Sequence, residues 1–128
     1  VKGRKPSNIV GGARPVRTVP NAPSWLPKDA RAEWRRVMPA LVERRTLDVA
    51  DLGNFENYCI AQGVVRECSL ELAAPGLDLE ARAKLFRVQD KAMQTARQLA
   101  ALFGLTPVDR SRPTIPSGND DGELDFLG

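Results

Sequence analysis

Residues 48–78 read DVADLGNFENYCIAQGVVRECSLELAAPGLD, and this stretch decides the fold. Asp48 is suited to cap a helix N-terminus, and Asp51 sits three residues on, near the positive end of the helix dipole. The pattern predicts a helix from there to about Ala74, roughly 39 Å long at 1.5 Å per residue. Pro75 cannot continue it and Gly76 suits the turn that follows, after which Asp78 caps the next helix. The long helix is apolar on two faces. Leu52, Phe55, Cys59, Gly63, Leu70 and Ala73 fall within about 60° of one direction at 100° per residue. Ala61, Val65, Cys68 and Leu72, spaced four, three and four, lie nearly opposite. A surface helix needs one buried stripe, so two stripes mean either a central helix or a subunit interface.

Working outward, the helix after Asp78 is predicted to run to about Phe103. Leu85, Val88, Ala92, Leu99 and Leu102 lie close to a heptad seam, with Phe86, Met93, Ala96 and Ala100 as an adjacent stripe. Gly104 closes it as a C′ residue and Pro107 prevents its resumption. The short connection at residues 74–77 forces the two helices into an antiparallel hairpin. Ahead of the hairpin, Pro27 suits a first helical turn, and Ala30, Trp34, Val37 and Leu41 form one apolar stripe. Pro39 predicts a kink or restart there, and Trp25 is expected to fold back onto the stripe. The fold class is all-α: one helix plus a long antiparallel helical hairpin, with neither strand alternation nor an internal repeat. A core of about 80 residues is small, and small cores often need a partner. Oligomerisation is the economical reading, with Ala61, Val65, Cys68 and Leu72 as its interface.

The 128 residues fit one domain, and apolar residues at 42% suffice for one modest core. The 10 Gly and 10 Pro concentrate at the two ends. Residues 1–24 are expected to be a disordered basic arm, residues 25–112 the helical domain, and residues 113–128 a flexible acidic tail. The net charge of +3 conceals a gradient: Lys2, Arg4, Lys5, Arg14 and Arg17 stand in the arm without an acid, and Asp120, Asp121, Glu123 and Asp125 stand in the tail without a base. Opposite charge at the two ends implies two different partners. The chain shows no apolar run of membrane-spanning length and no leader-like apolar region, so a cytoplasmic or particle-enclosed protein is expected, with no membrane partner.

Enzyme chemistry has little to work with. Histidine is absent, which removes the commonest general base and the commonest metal ligand. Cys59 and Cys68 alone cannot build a four-ligand zinc site, and in a reducing compartment they read as small core hydrophobes. No phosphate-binding G-x-x-x-x-G-K-[ST] loop and no G-x-S-x-G elbow occurs. Carboxylate pairs such as Glu67 and Glu71 read as a solvated helix face. No catalytic residue, metal or cofactor is expected.

Binding is better supported. Lys2, Arg4, Lys5, Arg14 and Arg17 place cations among Pro and Gly, the composition of arms that contact phosphates or enter a minor groove. Arg35, Arg36, Arg44 and Arg45 add a second basic cluster, and together these nine residues form the expected DNA-binding set. In the tail, Leu124, Phe126 and Leu127 alternate with acids, the pattern of a short linear motif that orders on a partner.

Taken in order, several motifs resemble the terminase small subunits of tailed bacteriophages, whether from a phage, a prophage or a gene transfer agent. They are Gly3-Arg4-Lys5-Pro6, Pro23-Ser24-Trp25-Leu26, Ala32-Glu33-Trp34, Leu47-Asp48-x-x-Asp51, Phe55-x-x-Tyr58-Cys59 and Phe103-Gly104-Leu105-Thr106-Pro107-x-x-Arg110. The last is the most specific, and it departs from the common form only in having Phe103 where Leu is usual. The resemblance spans about residues 3 to 112. It implies a non-catalytic subunit that forms a homo-oligomeric ring, binds double-stranded DNA and presents it to the large terminase subunit, which holds the ATPase and nuclease. It also implies action in the host cytoplasm, and it makes the large subunit the partner of Leu124, Phe126 and Leu127. The alternatives are a small helix-turn-helix-like transcription regulator, which predicts a dimer on a palindrome, and a structural adaptor without a nucleic-acid role.

Overall fold

The computed structural model describes residues 14–105. They form α1 (Lys28–Arg44), a single 3-10 turn (Val49–Asp51), α2 (Leu52–Leu72) and α3 (Leu79–Leu102). Among them there is no strand, only one isolated antiparallel bridge between Pro15 and Asp48. The all-α class and the α2–α3 hairpin agree with the sequence pattern.

The helix ends follow local chemistry. Pro27 precedes α1, where its missing N–H leaves nothing unpaired, and its carbonyl accepts from Arg31 N at 2.9 Å. α1 closes on Arg45, which adopts the left-handed conformation at φ 57°. α1 runs unbroken through Pro39, so the expected restart does not occur. Pro39 is exposed, and on that side water can serve the Arg35 carbonyl that has lost its donor. Asp48 builds a capping box: its Oδ1 accepts from Ala50 N at 2.8 Å, and Asp51 Oδ2 accepts from Asp48 N at 3.1 Å. Asp78 Oδ1 caps α3 by accepting from Ala81 N. Gly76 (φ 84°) and Gly104 (φ 66°) supply the left-handed backbone that the turn and the α3 terminus need.

α2 is the central helix: it packs on α1 along one face and on α3 along the other. Within the chain, its two apolar stripes therefore each meet a helix. On the α1 side Phe55 is fully buried, with the Trp34, Phe103 and Tyr58 rings at centroid distances of 5.1, 5.5 and 5.7 Å. Leu26, Met38, Leu41 and Leu47 close around them. Gly63 lets the backbones touch, since a Cβ there would lie 2.9 Å from Ala30 N. On the α3 side the seam is built of small residues, Ala61, Cys68, Ala92, Ala96 and Ala100, together with buried Gln89. The Gln89 amide donates to Val65 O (3.0 Å) and Ser69 Oγ (2.8 Å), so its burial leaves no donor orphaned.

Two expectations about the N-terminal region need correction. From Arg14 onward the supposed disordered arm is a docked strap. Val16 N donates to Leu47 O (2.8 Å), Val49 N to Arg14 O (2.9 Å), and Arg14 N to Asp48 Oδ2 (2.6 Å). Val16 is in the core, and the Trp34 indole donates to Pro20 O at 2.9 Å. One buried valine and these long-range hydrogen bonds offset the ordering cost that the Pro- and Gly-rich composition implied. Trp25 does not fold back either: it is 63% exposed, and its neighbour Leu26 is buried in its place. Residues 1–13 and the tail lie outside the described residues, as does Pro107.

Candidate functional site

The nine basic residues divide into three groups. Lys2, Arg4 and Lys5 lie outside the described residues. Arg36 and Arg44 serve the subunit's own structure. Arg36 donates from Nε and Nη2 to Glu33 at 3.0 and 2.7 Å, and Arg44 Nη1 donates to Gly104 O at 3.2 Å, serving a carbonyl just past the end of α3. Arg14, Arg17, Arg35 and Arg45 are exposed, with no ion-pair partner among the described residues. The strap gathers part of this last group. Extending the antiparallel register of the Pro15–Asp48 bridge by two residues sets Arg17 opposite Thr46, beside Arg45. The left-handed Arg45 turns the chain at that point, so strap and α1 exit place cations from distant sequence at one end of the helix. Asp48 accepts from the strap's Arg14 N at this place. The backbone N–H groups of Ala50 and Arg14 hold its carboxyl below the usual range, so it stays ionised as the strap's anchor.

Further back along α1 lies a polar network that the sequence did not advertise. Glu33 is buried on α1 and accepts both Arg36 bonds and a short hydrogen bond from the Tyr58 hydroxyl on α2. Burial, then Glu33 itself, pushes the Tyr58 hydroxyl well up from its ordinary value, keeping it a donor. The hydrogen bond to Glu33 raises Arg36 further. Cys59 is pushed up to about 12, mainly by burial, and remains a thiol. Cys68 is also raised by burial and by the Glu67 and Glu71 charges. Among the described residues no buried side-chain polar atom lacks a partner, and no group of three His, Cys, Asp or Glu could hold a metal. The network therefore ties α1 to α2. The signal available in sequence was the i, i+3 spacing of Glu33 and Arg36, which also fits a solvated pair.

The expected interface stripe lies elsewhere than on the outer surface. Ala61 and Cys68 are buried within the single chain, and Val65 and Leu72 are half-buried on the same α3-facing side of α2. Their partner is α3, which packs on the side of α2 away from α1. The outward apolar surface belongs to α3. Leu79 (81% exposed), Phe86 (65%) and Met93 recur every seven residues along one flank. At 100° per residue the other flank carries Val88, Lys91 and Thr95. There an open groove of about 510 Å³ runs between α2 and α3, with Ile60, Ala61, Val64, Val88 and Ala92 on its floor and Arg87 and Lys91 on its rim. Leu124, Phe126 and Leu127 lie outside the described residues, so the tail motif has no placement here.

Among the described residues no helix is long and apolar enough to cross a membrane. No curated protein and no solved structure matches the chain. A family model described as phage terminase, small subunit, matches residues 30–120. That span begins inside α1, takes in α2, the hairpin turn and α3, and reaches the first acid of the tail. It covers well over half of the sequence, and the chain belongs to the phage terminase small-subunit family, with a role in phage DNA packaging.

Proposed function

We propose that this subunit assembles into a homo-oligomeric ring, binds double-stranded DNA, and passes it to the large terminase subunit to start packaging, without catalytic residues of its own. The observation that carries the reading is the family match laid over a hairpin whose α3 leaves an apolar flank uncovered. Leu79, Phe86 and Met93 repeat at seven residues, a spacing that suits helix-against-helix packing between copies. The stripe of Ala61, Val65, Cys68 and Leu72 contributes from beneath, by holding α3 in place. The cations Arg14, Arg17, Arg35 and Arg45, with Lys2, Arg4 and Lys5 ahead of them, supply phosphate contacts. Leu124, Phe126 and Leu127 supply the large-subunit contact.

The test is assembly mass together with DNA binding. Mass photometry of the wild-type chain should show a multi-subunit ring, and Phe86→Glu with Met93→Glu should reduce it to small species, since a carboxylate buried unpaired between copies costs several kcal/mol. DNA affinity should fall with salt, with a slope of log affinity on log salt of about −0.9 per phosphate neutralised. A wild-type dimer that binds one palindrome would overturn the ring and favour the transcription regulator.

A further inference from the structure

We infer that the groove between α2 and α3 is a docking site for the chain's own acidic segment, with Leu124, Phe126 and Leu127 seated on its apolar floor and the neighbouring acids on its rim cations. The inference goes beyond the proposed function, which assigns the same three side chains to the large subunit. Here they have a resting place on the small subunit, and the large subunit must displace them.

Complementarity carries the argument. The floor of Ile60, Ala61, Val64, Val88 and Ala92 is apolar, and its two charged rim residues, Arg87 and Lys91, are both cations. Neither has an ion-pair or hydrogen-bond partner among the described residues. An apolar floor rimmed by unpaired cations fits an acidic, apolar peptide better than DNA, which brings no apolar anchor, or a neutral helix, which leaves the cations unpaired. The sequence 120–128, DDGELDFLG, has that chemistry: four acids interleaved with two leucines and a phenylalanine, and no base. The floor's small residues matter too. Ala61 and Ala92 both line it, one from each helix, and alanines leave room there for a phenyl or leucyl side chain.

Reach is no obstacle. The groove lies about 13 to 17 residues back along α3 from Leu105, roughly 20–26 Å at 1.5 Å per residue. The 19 residues from Leu105 to Leu124 could span about 60 Å when extended. The flank with Leu79, Phe86 and Met93 is on the other side of α3, so a docked segment and ring assembly do not compete for the same surface.

Zero-length carbodiimide cross-linking of the full chain, with no large subunit present, tests this. It joins an amine to a carboxylate in contact. Mass spectrometry should find Lys91 joined to Glu123 or Asp125. Phe126→Ala with Leu127→Ala should lower that yield at least about tenfold, because two apolar anchors are lost. Arg87→Glu should lower it while leaving the reactive amine in place. Subunits mixed from isotopically light and heavy preparations report whether the segment comes from the same copy or a neighbour, and either origin supports the site. An unchanged Lys91 yield in the Phe126→Ala, Leu127→Ala chain overturns it, as does cross-linking of Lys91 only to helix acids of another copy. Neither result bears on large-subunit capture, which is read by pull-down, so the two assignments of the tail fail separately.

Discussion

The two faces of α2 are built from different materials. Towards α1 it presents Phe55, Tyr58 and Cys59 to Trp34, Met38 and Leu41, with the Glu33–Arg36–Tyr58 network and the close Gly63–Ala30 approach at the same contact. Towards α3 it presents Ala61 and Cys68 to Ala92, Ala96 and Ala100, with one buried glutamine. Aromatic side chains bury far more area than alanines, so apolar stabilisation concentrates in the α1–α2 half. α3 is held by a thin seam and keeps its large side chains, Leu79, Phe86, Val88 and Leu102, outside. The first half makes the fold. The second leaves apolar surface exposed.

The largest effects should therefore come from the α1 face. Phe55→Ala removes the ring at the centre of three aromatic contacts and should cost about 3–5 kcal/mol, whereas Ala96→Gly on the α3 seam should cost only about 1 kcal/mol. Gly63→Ala belongs with the first group despite adding one methyl group. Its Cβ would meet backbone rather than a mobile side chain, and overpacking of that kind costs about 1–3 kcal/mol. Urea midpoints at fixed protein concentration measure all three, since assembly otherwise shifts the apparent stability. Equal losses in Phe55→Ala and Ala96→Gly would break the contrast between the faces.

A middle-sized effect comes from alkali. Folding raises the thiol of Cys59 from 9.0 to about 12 and raises the Tyr58 hydroxyl above its ordinary 10.0. For groups whose folded value is raised, the stabilisation is complete below the unfolded value and is lost as pH climbs towards the folded one. Stability should thus stay flat through neutral pH with respect to these two groups and decline from about pH 9. In Cys59→Ala the decline above pH 9 should become shallower, because Cys68 is also raised from 9.0 and still titrates there while Tyr58 follows only above 10.0, on top of a uniform loss from the missing sulfur. Cys68, on the other face, is raised too, so Cys68→Ala should remove a smaller part of the same decline while Cys59 keeps its onset near pH 9. Urea titrations at pH 7 to 11 would show this, and an unchanged decline in Cys59→Ala would place the titrating group elsewhere.

The same contrast explains what was legible in sequence. Caps and turns at Pro27, Asp48, Asp78, Gly76 and Gly104 were readable because each depends on the chemistry of a few adjacent residues. The two stripes of α2 were readable from period alone, but period cannot say whether the second stripe meets another helix of the same chain or another copy. Gln89 was passed over because a polar residue breaks an apolar pattern, and only Val65 O and Ser69 Oγ, 24 and 20 residues away, make its burial inexpensive. The strap failed for the same reason: its bonds join residues 14–16 to residues 47–49, and composition carries no trace of them. Trp25 and Leu26 show the limit most sharply. Outside a helix no periodicity decides which of two adjacent apolar residues turns inward.

The smallest effects should appear on the basic residues, where sequence counted four equivalent arginines and the structure separates them. Arg36 is bonded through two nitrogens to a buried carboxylate, so Arg36→Ala leaves Glu33 with the Tyr58 hydroxyl alone to satisfy it. The variant should lose stability, on the order of 1–3 kcal/mol for a buried charged acceptor left short of a donor, discounted because the guanidinium itself is mostly exposed. Arg35 and Arg45 have no such attachment. Their replacement by Ala should leave the urea midpoint within about 0.5 kcal/mol of wild type, Arg45→Ala included, because its left-handed backbone strains Arg and Ala alike. What they should change is DNA binding: each removed phosphate contact flattens the salt slope by about 0.9. The decisive comparison is the paired one, in which Arg35→Ala and Arg45→Ala move the slope and spare the fold while Arg36→Ala does the reverse. If Arg36→Ala flattened the slope as much as its neighbours at unchanged stability, the Glu33 pair would be a surface contact without structural weight, and the basic cluster would act as the single unit that its sequence first implied.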